Sequence, residues 1–301
     1  MAALYAIGSN GSGQLGIGHQ EDVSVPKPAL FHASSPLTPG PVTIRAGGNH
    51  TLLLTSSGSL LSSGDLSQGA RGCESIPPSS ATEFSLVNFT PPSSTSTSTD
   101  STAAATPKIT HCAATWESSI VVATDSSGRA RDIYTFGTGH KGELGLGPLI
   151  FRSSRPQLLP SFPLSGREVI DLAACMGHVV VVLDNGDVYG WGNGRKGQLG
   201  EPAEVVHEPR KIEGVSFPVS RAVCGREFTY LLGPLGGSES LFLGKDKWAV
   251  KPSGDISGWT DVGAGWGNIV VLKDDGAVLS WGRDDHGQCA PEGLPAVVKI
   301  A

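Results

Sequence analysis

The chain is 301 residues long, enough for two ordinary domains or one large β architecture, and only 17% of its residues are charged, while glycine (41) and proline (21) abound. A formal charge of −6 at pH 7 gives no net-positive field with which to release counterions from a polyphosphate, so direct nucleic-acid binding is not expected. Short apolar runs separated by glycine and proline describe short strands joined by tight turns.

The first predicted element is LYAIGSNGSGQLGIG from Leu4, an aromatic strand ending at Gly8 and followed by a glycine-rich turn. Its start, MAALYAIGSNG, has no basic segment ahead of an apolar core, and no stretch approaches the roughly 18 apolar residues of a membrane span. A soluble intracellular protein, cytoplasmic and also nuclear, with no membrane partner is therefore expected.

A second kind of element begins at Ile44 with IRAGGNHTLLLTSSG, two strands around a turn of small residues, and a weaker copy of the first kind, LLSSGDLSQGARGCE, follows from Leu60. Residues 79–106 contain PPSSTSTSTDSTAAATP, too polar and repetitive to pack, and are expected to be a disordered Ser/Thr-rich loop insertion. The alternation then resumes. Ile109 opens ITHCAATWESSIVVATDSSG and Ile133 opens IYTFGTGHKGELGLG; Asp171 opens DLAACMGHVVVVLDNG and Val188 opens VYGWGNGRKGQLGEP. Ser220 opens SRAVCGREFTYLLG, with the weak copy LFLGKDKWAVKPSGD from Leu241; Asp261 opens DVGAGWGNIVVLKDDG, and Val278 opens VLSWGRDDHGQCAPE. Dipeptides such as Asn185-Gly186 and Asp275-Gly276 tolerate φ > 0 and favour tight hairpins between these strands.

A small sheet repeated in this way cannot cover its own faces and stacks on its copies, which closes most simply into a propeller. The glycine that ends the aromatic strand recurs at Gly8, Gly64, Gly137, Gly192, Gly244 and Gly282. The expected fold is therefore all-β, a β-propeller of about six blades with seven allowed, in a single domain over 1–301. The segment Val297–Ala301 (VVKIA) matches a first strand, so the N- and C-terminal strands are expected to share one blade and close the ring.

Two segments, Gly137-Thr-Gly139-His-Lys-Gly142 and Gly192-Asn-Gly194-Arg-Lys-Gly197, match the G-x-G-x-x-G of dinucleotide sites. Such a site opens a helix, yet both continue as turn, so they read as blade turns. His50 and His178 occupy the same place in two copies, and Trp116, Phe228 and Trp266 stand near it in the others. These five residues are expected at equivalent depth around one end of the central channel, either as a partner-binding rim or as packing between blades. No convergence of ligands implies a metal. The cysteines (Cys73, Cys112, Cys175, Cys224, Cys289) are odd in number and include no C-x-x-C pair, so they read as structural thiols. No carboxylate pair or nucleophile elbow is present, so neither an enzyme nor a cofactor is expected.

The alternation of L-Y-x-x-G-x-N-x-x-G-Q-L-G with x-x-A-G-x-x-H-T-x-x-L-T-x-x-G resembles the regulator of chromosome condensation family of β-propellers. Within that family, LYAIGSNGSGQLGIGHQEDVSVPKP, VYGWGNGRKGQLGEPAEVVHEP and SWGRDDHGQC are similar to the fungal alpha-tubulin suppressor, or killer-toxin-insensitivity, branch of Elongator cofactors. The resemblance implies a non-catalytic partner of the small CSL-type zinc protein of diphthamide synthesis, in a heterodimer that also meets the Elongator complex. It implies support of both wobble-uridine tRNA modification and diphthamide formation on the translation elongation factor. The alternative is guanine-nucleotide exchange on a Ran-type small GTPase, which other members perform with an inserted wedge. A propeller enzyme would need converging polar groups at the channel mouth.

Overall fold

Each hairpin dipeptide produces the turn its chemistry allows. Gly58, Gly186 and Gly276 have φ of 85°, 82° and 83°, and their amides donate to the carbonyls of Thr55, Leu183 and Lys273 at 3.0, 2.8 and 3.0 Å. The structure, a computed structural model, describes residues 4–32, 40–73, 81–89, 107–163, 166–291 and 293–300. The strands β1 (Tyr5–Gly8) and β2 (Val23–Pro28) form a two-stranded ribbon. Two four-stranded sheets follow. One holds β3 (Pro41–Ala46), β4 (His50–Thr55), β5 (Leu60–Gly64) and β6 (Ser85–Leu86); the next holds β7 (Ile109–Ala114), β8 (Ser118–Thr124), β9 (Ala130–Thr138) and β10 (Arg152–Leu158). A third comprises β11 (Val169–Cys175), β12 (His178–Leu183), β13 (Val188–Asn193) and β14 (Val205–Lys211). Two three-stranded sheets complete the set: β15 (Arg221–Cys224), β16 (Phe228–Leu232) and β17 (Ser240–Gly244), then β18 (Trp259–Ala264), β19 (Asn268–Lys273) and β20 (Val278–Gly282). Neighbours in sequence are neighbours in every sheet, and the strands within the sheets pair antiparallel.

The fold is thus all-β with propeller-type blades, but the described residues hold five blades of three or four strands where about six were expected. The difference lies at the ends. The ribbon β1–β2 supplies only the third and fourth strands of a blade, and Val297–Ile300 belong to no sheet. The expected sharing of one blade by the terminal strands is therefore not found among the described residues. Val297 does donate to the Gly276 carbonyl at 2.9 Å, as Ile109 and Val219 do to Gly58 and Gly186 at 2.9 and 3.2 Å where a new blade begins. Among the described residues no strand pairs with this segment.

The Ser/Thr-rich insertion also needs correction. Residues 79–80 and 90–106 of it lie outside the described residues, but 81–89 carry β6, and Phe84 and Val87 there are buried. Arg71 holds this segment. Its fully buried guanidinium donates to the carbonyls of Ala81 (2.6 Å), Glu83 (3.0 Å) and Ser62 (3.1 Å) and to Ser85 Oγ (2.8 Å). Arg71 stands where other copies of the repeat have Leu144 and Leu199, so one blade replaces an apolar contact with a set of charge-assisted hydrogen bonds.

The described residues cluster into two compact units: 1–112, 117–138 and 152–159; and 113–116, 139–151 and 160–301. In the first, Leu53, Leu61 and Phe84 form a buried cluster. In the second, Val223, Phe228, Tyr230, Leu232, Val250, Ile256, Trp259, Val262, Ile269 and Val271 do so. Second strands carry most of this burial: every residue of β12 and β16 is buried. Continuous apolar runs such as VVVV suit strands covered on both faces, each side chain contributing about 1.5–3 kcal/mol.

Candidate interaction face at the hairpin tips

The strand-ending glycines explain the G-x-G-x-x-G matches. Gly64, Gly137, Gly192, Gly244 and Gly282 pair with His50, Ser118, His178, Phe228 and Asn268, the first residue of each second strand. Gly192 has φ 101°, and a Cβ on it would lie 2.4 Å from the Gly177 carbonyl oxygen, a position only glycine can occupy. The turn that follows satisfies its own amides. Gly197 donates to Gly194 and Gly200 to Gly197, at 2.9 and 3.0 Å. Gln198 Oε1 then accepts from the Lys196 amide at 2.8 Å, as Gln14, Glu143 and Gln288 accept from Ser12, Lys141 and His286. The repeated Q-L or E-L is therefore a turn cap, and these amides form no phosphate cradle.

The five expected rim residues separate into two sets. His50, His178 and Phe228 start second strands and are buried, whereas Trp116 and Trp266 lie two residues ahead of a second strand, in the hairpin tips, 39% and 51% exposed. Equivalent depth is thus corrected: the tip position is held by Gly48, Trp116, Met176, Arg226 and Trp266, and the strand-start position by His50, Ser118, His178 and Phe228, all buried, and by the half-buried Asn268. The two histidines join neighbouring sheets. His50 Nε2 lies 2.9 Å from Ser119 Oγ on β8, and His178 Nε2 lies 3.0 Å from Thr229 Oγ1 on β16. Burial pulls both imidazoles down to a pKa of about 4, with Asp65 opposing at His50. Neutral, enclosed and bonded to hydroxyls, these histidines link neighbouring blades.

The tips are chained through their backbones: the Trp116 amide donates to the Met176 carbonyl and the Arg226 amide to the Trp266 carbonyl, each at 2.8 Å. The Trp116 and Trp266 rings meet at 5.4 Å with a 55° tilt, a favourable aromatic geometry. Beside Trp266 opens a small cleft of about 60 Å³, lined by Arg226, Glu227, Phe228, Lys245, Lys247, Trp248, Val250 and Gly267 as well. Trp248 is 41% exposed and lies on the backbone of Gly267, where a Cβ would come within 2.8 Å of its ring. Lys247 Nζ sits 4.1 Å from its ring centroid and the Arg283 guanidinium 5.7 Å, both within cation–π range. Sequence reading passed over Lys245, Lys247, Trp248 and Arg283 because they fall in the weak copy from Leu241 or just after β20. The signal available was the loss of the turn glycines there, with KDKWAVK in place of a G-x-x-G-Q-L-G turn.

The cysteines fit a structural role: burial pushes the thiols of Cys112 and Cys175 up to about 12 and raises Cys224 further above its usual value. Among the described residues no three His, Cys, Asp or Glu side chains gather as metal ligands would.

Repeated antiparallel blades, a glycine opposite each second strand and buried histidine links define a β-propeller of repeated units. The regulator of chromosome condensation (RCC1) repeat matches residues 3–54 and 185–232, and a second description of that repeat matches 170–198 and 259–288. An RCC1 repeat-containing protein of Schizosaccharomyces pombe is 30% identical over 316 aligned positions, covering 99% of this chain and 81% of that protein. The chain belongs to the RCC1 repeat family. The bovine secretion-regulating guanine nucleotide exchange factor is 27% identical over 95% of the chain, which spans 61% of that protein's length. The ubiquitin ligase HERC2 of mouse is 28% identical over 95% of the chain, which spans only 6% of its length. Among solved structures, yeast RCC1 (Prp20), bound to Kap60, superposes with a TM-score of 0.74 at 22% identity, covering 97% of this chain and 67% of that one.

Proposed function

We propose that the chain is a non-catalytic protein-interaction propeller. Its partner in this reading is the small CSL-type zinc protein of diphthamide synthesis, in a heterodimer that supports Elongator-dependent wobble-uridine modification and diphthamide formation in the cytoplasm and nucleus. The observation that carries the interaction role is the exposure of Trp116, Trp248 and Trp266 beside one cleft, since exposed tryptophans are typical interface anchors. The choice of partner rests on the blade motifs shared with the alpha-tubulin suppressor branch. Size-exclusion chromatography of the two purified proteins tests it: co-elution is expected, and separate elution at micromolar concentration removes this partner.

The second reading is guanine-nucleotide exchange on a Ran-type GTPase, favoured by the likeness to the bovine exchange factor. Release of a fluorescent guanine nucleotide from the GTPase would accelerate with added propeller if it holds, and an unchanged rate eliminates it.

A further inference from the structure

We infer that the cleft between Trp248 and Trp266 receives an acidic segment of a protein partner, with carboxylates on Arg226, Lys245 and Lys247 and an apolar side chain against the indoles. The inference rests on the reading of the chain as an interaction propeller and specifies what its site recognises.

The chain carries a net −6, yet three cationic side chains and one carboxylate, Glu227, line this cleft. Among the described residues no carboxylate forms an ion pair with Arg226, Lys245 or Lys247. The neighbouring Arg283 is by contrast held by Asp285 at 2.7 Å. Unneutralised cations around a concave site complement an acidic ligand and raise its rate of encounter.

The site is also preorganised. Trp248 and Ala249 have φ of 63° and 52°, a left-handed pair that no glycine relieves and that persists only where the surroundings impose it. Here they do. Asp246 Oδ1 accepts from the Lys251 amide at 2.9 Å and closes the loop, Val250 plugs into the core, and the Trp248 ring rests on Gly267. A fold that holds a half-exposed tryptophan in a strained loop between two cations presents it ready-made, so binding loses little ordering entropy there.

A nucleic acid would need cations along a track of phosphates and a favourable net charge. Three cations around about 60 Å³ instead match one or two carboxylates with a small apolar group between them.

The test uses the full chain, a short fluorescein-labelled peptide alternating glutamate with leucine, its glutamine counterpart and a labelled single-stranded oligonucleotide, all followed by anisotropy. The glutamate peptide should bind and weaken with salt, while the glutamine peptide and the oligonucleotide should bind at least about tenfold more weakly. The double variant Lys245→Gln/Lys247→Gln, exposed and so expected to fold, should lose about tenfold in affinity for the glutamate peptide, and Trp248→Ala should lose a similar factor. Unchanged affinity in both variants, equal binding of the glutamine peptide, or preference for the oligonucleotide overturns the inference. If the CSL-type protein co-elutes equally with wild type and double variant, the interaction reading stands and the cleft assignment falls. If that protein never co-elutes but the glutamate peptide needs the two lysines, the choice of partner falls and the cleft stands.

Discussion

At the scale of single residues, His50 and His178 give the protein a dependence on pH. Their imidazoles titrate near 4 in the fold against 6.5 when exposed, because the enclosed site penalises the charged form. The sign follows from proton uptake. Between these values the unfolded chain binds more protons than the folded one, so stability is complete above about pH 6.5 and is lost as pH falls towards 4. Near pH 5 each histidine should cost about 2 kcal/mol relative to neutral pH. Urea unfolding across this range should show the loss, and His50→Gln with His178→Gln should flatten it; an unchanged acid limb in the double variant would remove the histidines as its cause. Their recurrence in the sequence marked both as structurally equivalent. Depth was not legible, because His50 and Trp116 lie only two positions apart in register, and that step separates a buried strand start from an exposed tip.

At the scale of elements, the glycine opposite each second strand sets the hairpin. Gly192→Ala would place a Cβ 2.4 Å from the Gly177 oxygen and beside the His178 backbone, in a strand flanked by buried neighbours. It should destabilise the protein by at least about 3 kcal/mol. Gly128→Ala is the control: its φ is 82°, but nothing lies within 4 Å of the new carbon, so only backbone strain of about 1 kcal/mol is expected. Equal urea midpoints for the two variants would refute the steric role. The first three strands of each blade were readable because apolar second strands and aromatic third strands repeat with their turn residues. Fourth strands were not. VSVPKP, RSSRPQL and VVHEPRK are half-exposed edges rich in proline and charge, as edge strands tend to be, and their sequences resemble loops. The two residues of β6 were hidden in a stretch that reads as filler, and only the buried Arg71 shows why it is held.

At the scale of the whole molecule, the sequence argued for closure through the last five residues, whose VVKIA repeats a first strand. A first strand gains its stability from the second strand beside it, and periodicity alone does not reveal whether that partner is present. In the structure Val297–Ile300 make no sheet, and Val298 is 96% exposed. Ala296 and Val297 still pack against the Gly276 turn, so the direction of the blade is set although its ladder is not built. The two architectures differ in energy. If these residues closed a blade, burying two valines and an isoleucine would contribute roughly 3 kcal/mol or more. If they lie as described, a chain ending at Ala296 loses one backbone hydrogen bond and two half-buried side chains, Val297 and Ile300, and should fall below the full chain by only about 1 kcal/mol. Urea unfolding of both chains followed by tryptophan fluorescence decides between them: a loss of about 1 kcal/mol is expected, and a loss of about 3 kcal/mol or more in the shortened chain would restore a terminal blade.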